Sequence, residues 1–230
     1  KIISTSRKKE TSSNISIEEY SDPLKISSRL ATFTLVSVLK NQGLFSQALE
    51  VLDELLESGK IKNWGLSNET SWGIMKFMQL CDQYGMTKPV SIQNAYSLMN
   101  RLFEYGASEV SQFENIGLMA YSPLAFGLLT GKYLGNSLPK GARLTDYPVF
   151  SRFLNPQAFS AVQEFKHLAD KNGLTVTELS LAFVMSRPFV NTTIIGATKM
   201  SQLRENIESA YIELPELLLT EIEQIFTKHP

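Results

Sequence analysis

The sequence predicts an α/β fold in which parallel strands alternate with helices, and three observations carry that prediction. Short apolar runs bounded by polar residues recur at 61–68, 90–96, 117–124 and 191–198, with helically spaced apolar residues between them. The interval from Ser67 to Asn94 is 27 residues and that from Asn94 to Ser122 is 28, which suits one strand, one helix and two short loops. An apolar content of 43% over 230 residues is enough for one large core or two small ones. Successive units of this size join parallel strands by right-handed crossovers, so the strands are expected to be buried on both faces.

Each element follows from its own residues. Residues 46–58 carry Leu49, Leu52, Leu55 and Leu56 at helical spacing, and Gly59 ends the pattern. The spacing predicts a second helix over 71–84 with Gly85 as its stop, and a third over 100–113 with Leu102, Phe103, Val110 and Phe113 among its apolar positions. After Leu124 the rhythm gives way to a stretch containing Gly and Pro that runs to about Pro156. Helical patterns then occupy 157–172, 176–186, 199–210 and 215–227. Residues 30–39 (LATFTLVSVL) read as a further strand or a short helix. Residues 1–13 are basic and hydroxyl-rich and are expected to fray, with a targeting-peptide remnant as the other reading. Four βα units make half of an eight-stranded barrel, which usually takes ~250 residues, or else an open parallel sheet.

Composition narrows the partners. Lys plus Arg number 22 against 23 Asp plus Glu, so a net charge of −1 gives no general attraction to a polyanion and nucleic acid is not expected. Cys81 is the one cysteine and cannot form an internal disulfide, which suits a reducing, cytoplasmic setting. No apolar run approaches the ~20 residues of a membrane span, so no membrane partner is expected. No metal site is expected either.

In a βα barrel ligands bind at the carboxyl ends of the strands. Those ends are Ser67-Asn68, Gln93-Asn94, Tyr121-Ser122-Pro123-Leu124 and Gly196-Ala197-Thr198. Asn and Gln offer both donors and acceptors, as a carboxamide ligand requires, and Tyr121 offers a stacking face. Capping of helices and turns is the competing use of the same residues. In 122–133 (SPLAFGLLTGKY), Gly127 and Gly131 let backbone approach a ligand, while Lys132, and Arg143 beyond it, are placed to cover phosphate. Gly196 to Lys199 precede a helix and offer free N–H groups and a cation to an anion. Neither GxGxxG nor GxxxxGK[ST] occurs.

The blocks GKIKNWGLSNE, VSIQNAYSLMNR, IGLMAYSPLAFGLLTGKY and TTIIGATKMSQLRENIES resemble, in order, the second half of the aldo-keto reductase family, in the branch that holds Tas-like reductases and potassium-channel β subunits. The likeness covers roughly 46–227 and leaves 1–45 unassigned, so the chain is expected to comprise an N-terminal segment and, at 46–230, a half-barrel. It implies a (β/α)8 barrel represented here by strands five to eight, the cofactor NADP(H), and hydride transfer to an aldehyde or ketone. By position, Ser67, Asn68 and Gln93 resemble the group that holds the nicotinamide carboxamide, and Tyr121 the aromatic that stacks on its ring. Ser122, Pro123, Leu124, Gly127, Leu129 and Lys132 fall in the loop around the pyrophosphate, and Arg143 near the adenosine 2′-phosphate. Gly196, Ala197, Thr198, Lys199, Gln202, Glu205 and Asn206 match the adenosine end.

The family's catalytic Asp, Tyr, Lys and His lie on its first four strands, in DTA-x-x-Y and D-L-x-x-x-H segments, and neither segment occurs here. The histidines are His167, within a predicted helix, and His229, next to the last residue. Tyr20 follows Glu18 and Glu19, but Ser16 stands where the Asp would be. The resemblance therefore assigns no catalytic residue to this chain and implies a cofactor-binding half without its proton donor, truncated or degenerate. Such a half exposes two sheet edges, and self-association through them is expected.

Overall fold

A computed structural model describes residues 33–229, so Tyr20 and the N-terminal expectations lie outside the described residues. The chain divides into two compact units, 1–55 and 56–230. In the first, α1 (Phe33–Asn41) settles the described part of the open 30–39 reading, residues 33–39, as helix. The next helix, α2 (Phe45–Glu57), buries Ala48, Leu49, Val51, Leu52 and Leu55 along one stripe, as the leucine spacing requires.

The second unit is built on four strands, β1 (Gly65–Ser67), β2 (Ser91–Ala95), β3 (Gly117–Tyr121) and β4 (Val190–Thr193). They form one sheet in sequential order, every neighbouring pair parallel. Between them run α3 (Ser71–Tyr84), α4 (Ala107–Phe113), α5 (Arg143–Asp146), α6 (Pro156–Lys171) and α7 (Val176–Met185), and after β4 come α8 (Met200–Glu208) and α9 (Glu216–Lys228). This is the architecture of a partial (β/α)8 barrel.

Burial on both faces is not observed. Leu66, Ile92, Leu118 and Ala120 are buried, whereas Ser67 is exposed and Gln93, Met119 and Tyr121 are half-exposed. Register places Ser67 beside Gln93 and Gln93 beside Met119, so these side chains share the second face. That face is the lumen side of a barrel wall, which four strands line but cannot enclose.

Several boundaries differ from the periodicity. The 100–113 segment is a 3₁₀ turn (Leu102–Glu104) followed by α4, because Gly106 sits at φ 89° and interrupts the helix. The strands stop short of the apolar runs, with β3 ending before Ser122 and β4 before Ile194. The 125–153 stretch contains 3₁₀ turns at Ala125–Thr130, Leu134–Asn136 and Pro148–Phe153 as well as α5.

One helix, α7, is buried around nearly its whole circumference and packs against β4, which makes it the centre of the core. Thr175 and Glu178 close a capping box at its start. On the outside, α6 and α9 are bridged by Lys171–Glu221 at 2.8 Å and by Glu164, which pairs with Lys228 and with His229 Nε2 at 3.0 Å. The hydrogen bonds of Lys228 and His229 hold the Glu164 carboxyl below the usual carboxylate range.

Candidate functional site

Because the strands are parallel, their carboxyl ends meet at one side of the sheet. Asn68 N–H donates to Gln93 O at 3.0 Å, and Ile194 N–H to Ala120 O at 2.8 Å, which sets the first two tips side by side and the last two likewise. Tyr96 N–H donates to Tyr121 O at 3.2 Å and joins the middle pair. Side chains close the same row. The Tyr121 hydroxyl donates to Asn68 Oδ1 at 2.8 Å, and Asn68 Nδ2 donates to Ser67 Oγ at 3.2 Å. Asn68 takes up a left-handed backbone with φ 56°, a conformation Asn tolerates better than most residues. Ser67, Asn68, Gln93 and Tyr121 thus form one polar ledge.

The segment after Tyr121 departs sharply from strand geometry. Ser122, Ala125 and Phe126 all have positive φ, at 53°, 46° and 57°. Left-handed backbone at non-glycine residues costs of order 1–3 kcal/mol each and persists where the surroundings enforce it. Packing does so here. Phe126 stacks on Phe150 with centroids 4.6 Å apart and meets Phe153 at 5.6 Å, while Pro123, Leu128 and Leu129 are buried beneath. With its side chain wholly buried, Leu129 serves the loop's packing.

This loop carries Lys132, and Arg143 follows at the start of α5. Lys132 Nζ lies 5.5 Å from the centroid of the Tyr133 ring, and the Tyr133 hydroxyl accepts the N–H of Leu144 at 3.0 Å, next to Arg143. The Arg143 guanidinium lies 5.8 Å from the Phe150 centroid. Neither cation has a carboxylate within ion-pair distance among the described residues. Desolvation holds the Lys132 ammonium below the ordinary lysine range, although the residue is exposed overall.

Gly127 makes room for it. At φ 94° it adopts a backbone that side chains resist, and a Cβ there would lie 3.0 Å from Lys132 Cε and 3.1 Å from Nζ. Gly127→Ala is therefore expected to cost about 1–2 kcal/mol in stability and to displace the ammonium. Urea unfolding checks the first effect and anion binding the second.

The α8 region differs in one respect from expectation. The N–H groups of Thr198 and Lys199 are not free, since Gln202 Oε1 accepts both, at 3.0 and 3.2 Å, and the Thr198 hydroxyl at 3.2 Å. Gly196, Ala197, Thr198 and Lys199 are exposed. Glu205 accepts from the Thr175 hydroxyl at 2.8 Å, and Gly131 lies against Val176, the next residue, so α8 and the 122–133 loop converge on the start of α7. Asn206, also on α8, is 5% exposed.

The sequence reading missed Tyr133, Phe150 and Thr175, which aim the cations and α8 without facing a ligand. Aromatic residues at 126, 133, 147, 150 and 153 in an otherwise turn-rich stretch were the available signal. The histidines stand elsewhere. His167 lines a groove of about 650 Å³ between α6 and α9, and His229 follows α9. No group of three potential metal-ligating side chains occurs among the described residues, and none of the helices described is long and apolar enough to cross a membrane.

A half-barrel wall whose strand tips carry polar residues, backed by a strained loop, defines the class as a partial (β/α)8 barrel. A sequence profile of the Aldo/keto reductase family matches residues 16–226, and the chain belongs to that family. It is 47% identical to "Protein tas" of Escherichia coli (strain K12) over 177 residues, covering 77% of this chain and 51% of that protein. It is 40% identical to an "Aldo-keto reductase" of Babesia bovis over 188 residues, covering 78% and 66% respectively. A "Putative voltage-gated potassium channel subunit beta" of Schizosaccharomyces pombe is 29% identical over 192 residues, covering 80% and 56%. The chain spans about half the length of the first of these relatives and no more than two thirds of the others.

Proposed function

We propose that this chain binds NADP(H) across the carboxyl ends of its strands and takes part in oxidoreductase chemistry on an aldehyde or ketone. The observation that carries the reading is the pair Lys132 and Arg143, held by one loop with no carboxylate partner. Two unpaired cations on a rigid loop suit the pyrophosphate and the 2′-phosphate, and the latter adds about two negative charges that favour NADP over NAD. Ser67, Asn68 and Gln93 supply donors and acceptors for the carboxamide, Tyr121 a ring face, and Asn206 an amide for the adenosine end. Bound there, the cofactor supplies hydride.

Carbonyl reduction also needs a proton, and a positioned acid typically contributes 10²–10⁴-fold in rate. Among the residues described, the strand tips offer the Tyr121 hydroxyl, which is engaged with Asn68, and no histidine. We therefore read the chain as a cofactor-binding half whose turnover requires groups beyond those on these four strands. Small-molecule carbonyls are the substrate class, and the edges of β1 and β4, unpaired among the described residues, are proposed to mediate self-association.

Titrating the purified chain with NADPH while following nicotinamide fluorescence tests this. Saturable binding without aldehyde-dependent oxidation is the expected result. Turnover by the chain alone would restore a complete enzyme, and no binding by a folded chain would remove the site.

A further inference from the structure

The segment that follows β2 turns back on itself. Ser97 and Asn100 exchange both backbone hydrogen bonds, at 3.0 and 3.1 Å, and this brings Arg101 and Glu104 back to Tyr96. Tyr96 is completely buried, and its hydroxyl donates to Glu104 Oε1. Arg101 grips the same carboxylate with two groups, Nε to Oε1 at 2.8 Å and an Nη to Oε2 at 2.6 Å. Its other Nη donates to Glu223 Oε2 on α9 at 2.8 Å. The guanidinium is sandwiched between Phe183 of α7, at 5.2 Å, and Phe226 of α9, at 4.4 Å. The residue is only 6% exposed.

A buried ion pair is weak evidence for stability, since apolar residues of similar volume often serve as well or better. What this one provides is direction. The guanidinium is a planar fork that fixes Glu104 in the plane of two hydrogen bonds, and Glu104 then fixes the Tyr96 hydroxyl. Tyr96 in turn holds the carboxyl end of β3, because its backbone N–H donates to Tyr121 O. Burial opposes the charge on Arg101, but the hydrogen bonds and charges of Glu104 and Glu223 together outweigh it and keep the guanidinium protonated.

We infer that Arg101 is a positioning residue, setting the angle of the Tyr121 ring and hence the nicotinamide end of the site through Glu104 and Tyr96. The inference rests on the cofactor reading above. Arg101 itself touches no ligand position. It links that end of the site to α9, so a change on α9 at Glu223 is transmitted to Tyr121.

Two ligands separate positioning from mere support. NADPH spans the whole site, whereas 2′,5′-ADP occupies only the adenosine and phosphate end, on the side of Lys132 and Arg143. Tyr96→Phe keeps the packed ring and removes only the hydroxyl that meets Glu104. Arg101→Lys keeps the charge and removes the fork. Each variant is expected to raise the NADPH dissociation constant about 3- to 10-fold, the loss typical of a modest coupling along a hydrogen-bond network, with 2′,5′-ADP unchanged. Parallel losses for both ligands, or none for either, would overturn the positioning role. An unaltered chain that binds 2′,5′-ADP but not NADPH also overturns it, and one that binds neither overturns the cofactor reading and this inference together.

Discussion

Phe183→Ala is expected to lower the stability of the chain by about 3–5 kcal/mol, the range for deleting a large aromatic from a packed core. Phe183 is 0% exposed on α7, the helix that is buried nearly all round. Its ring stacks on Tyr96 with centroids 6.2 Å apart and carries two cations, Arg101 at 5.2 Å and Arg187 at 4.5 Å. Alanine therefore removes buried area, one aromatic pair and two cation–π contacts at once. For a domain stable by about 5–15 kcal/mol this approaches the whole margin, and the midpoint of thermal unfolding should fall by about 10 °C. Phe183→Leu refills most of the volume without the ring face and should recover about half of the loss. A urea-unfolding free energy within ~0.5 kcal/mol of the parent, the usual scale of a surface change, would show that α7 is not the centre of the core.

How much of this was legible in the sequence depends on whether a feature is local. The alternation of strand and helix is local, and α3 is observed over the predicted 71–84 because Thr70 caps its start and Gly85, at φ 66°, ends it. The half-exposed sheet was written in the sequence as well, as a period of two in which Leu66, Ile92 and Leu118 alternate with Ser67, Gln93 and Met119. An expectation of burial on both faces, natural for parallel sheets, overrode that signal. The contacts that organise the site are not local. Tyr121 reaches Asn68 across 53 positions, and Arg101 reaches Glu223 across 122. Nothing in periodicity announces either pair. Gln202 lies between these cases, since its place three residues after Lys199 is a capping spacing. Of anion binding and capping, the two uses this stretch offers, capping is the one these hydrogen bonds serve.

Replacing Lys132 and Arg143 together by alanine is expected to weaken NADPH binding by about 100-fold or more, from the loss of two charge-assisted contacts worth roughly 1.5–3 kcal/mol each. The single variants should differ in kind. Arg143→Ala is expected to erase the preference for NADPH over NADH, because its partner is the 2′-phosphate, whereas Lys132→Ala weakens both through the shared pyrophosphate. Tyr133→Phe should mimic a mild form of both, since the hydroxyl that holds Leu144 N–H ties the two cations to one frame. The sign of the pH dependence follows from Lys132. Burial favours its neutral form, and only the ammonium attracts phosphate, so affinity should decline on the alkaline side and begin to do so at a lower pH than an ordinary lysine would dictate. Lys132→Arg removes that titration from the accessible range and should flatten the profile. An NADPH affinity that is the same in the parent and the double variant would leave the strained loop and its two unpaired cations without a phosphate to explain them, and the cofactor reading would fall with it.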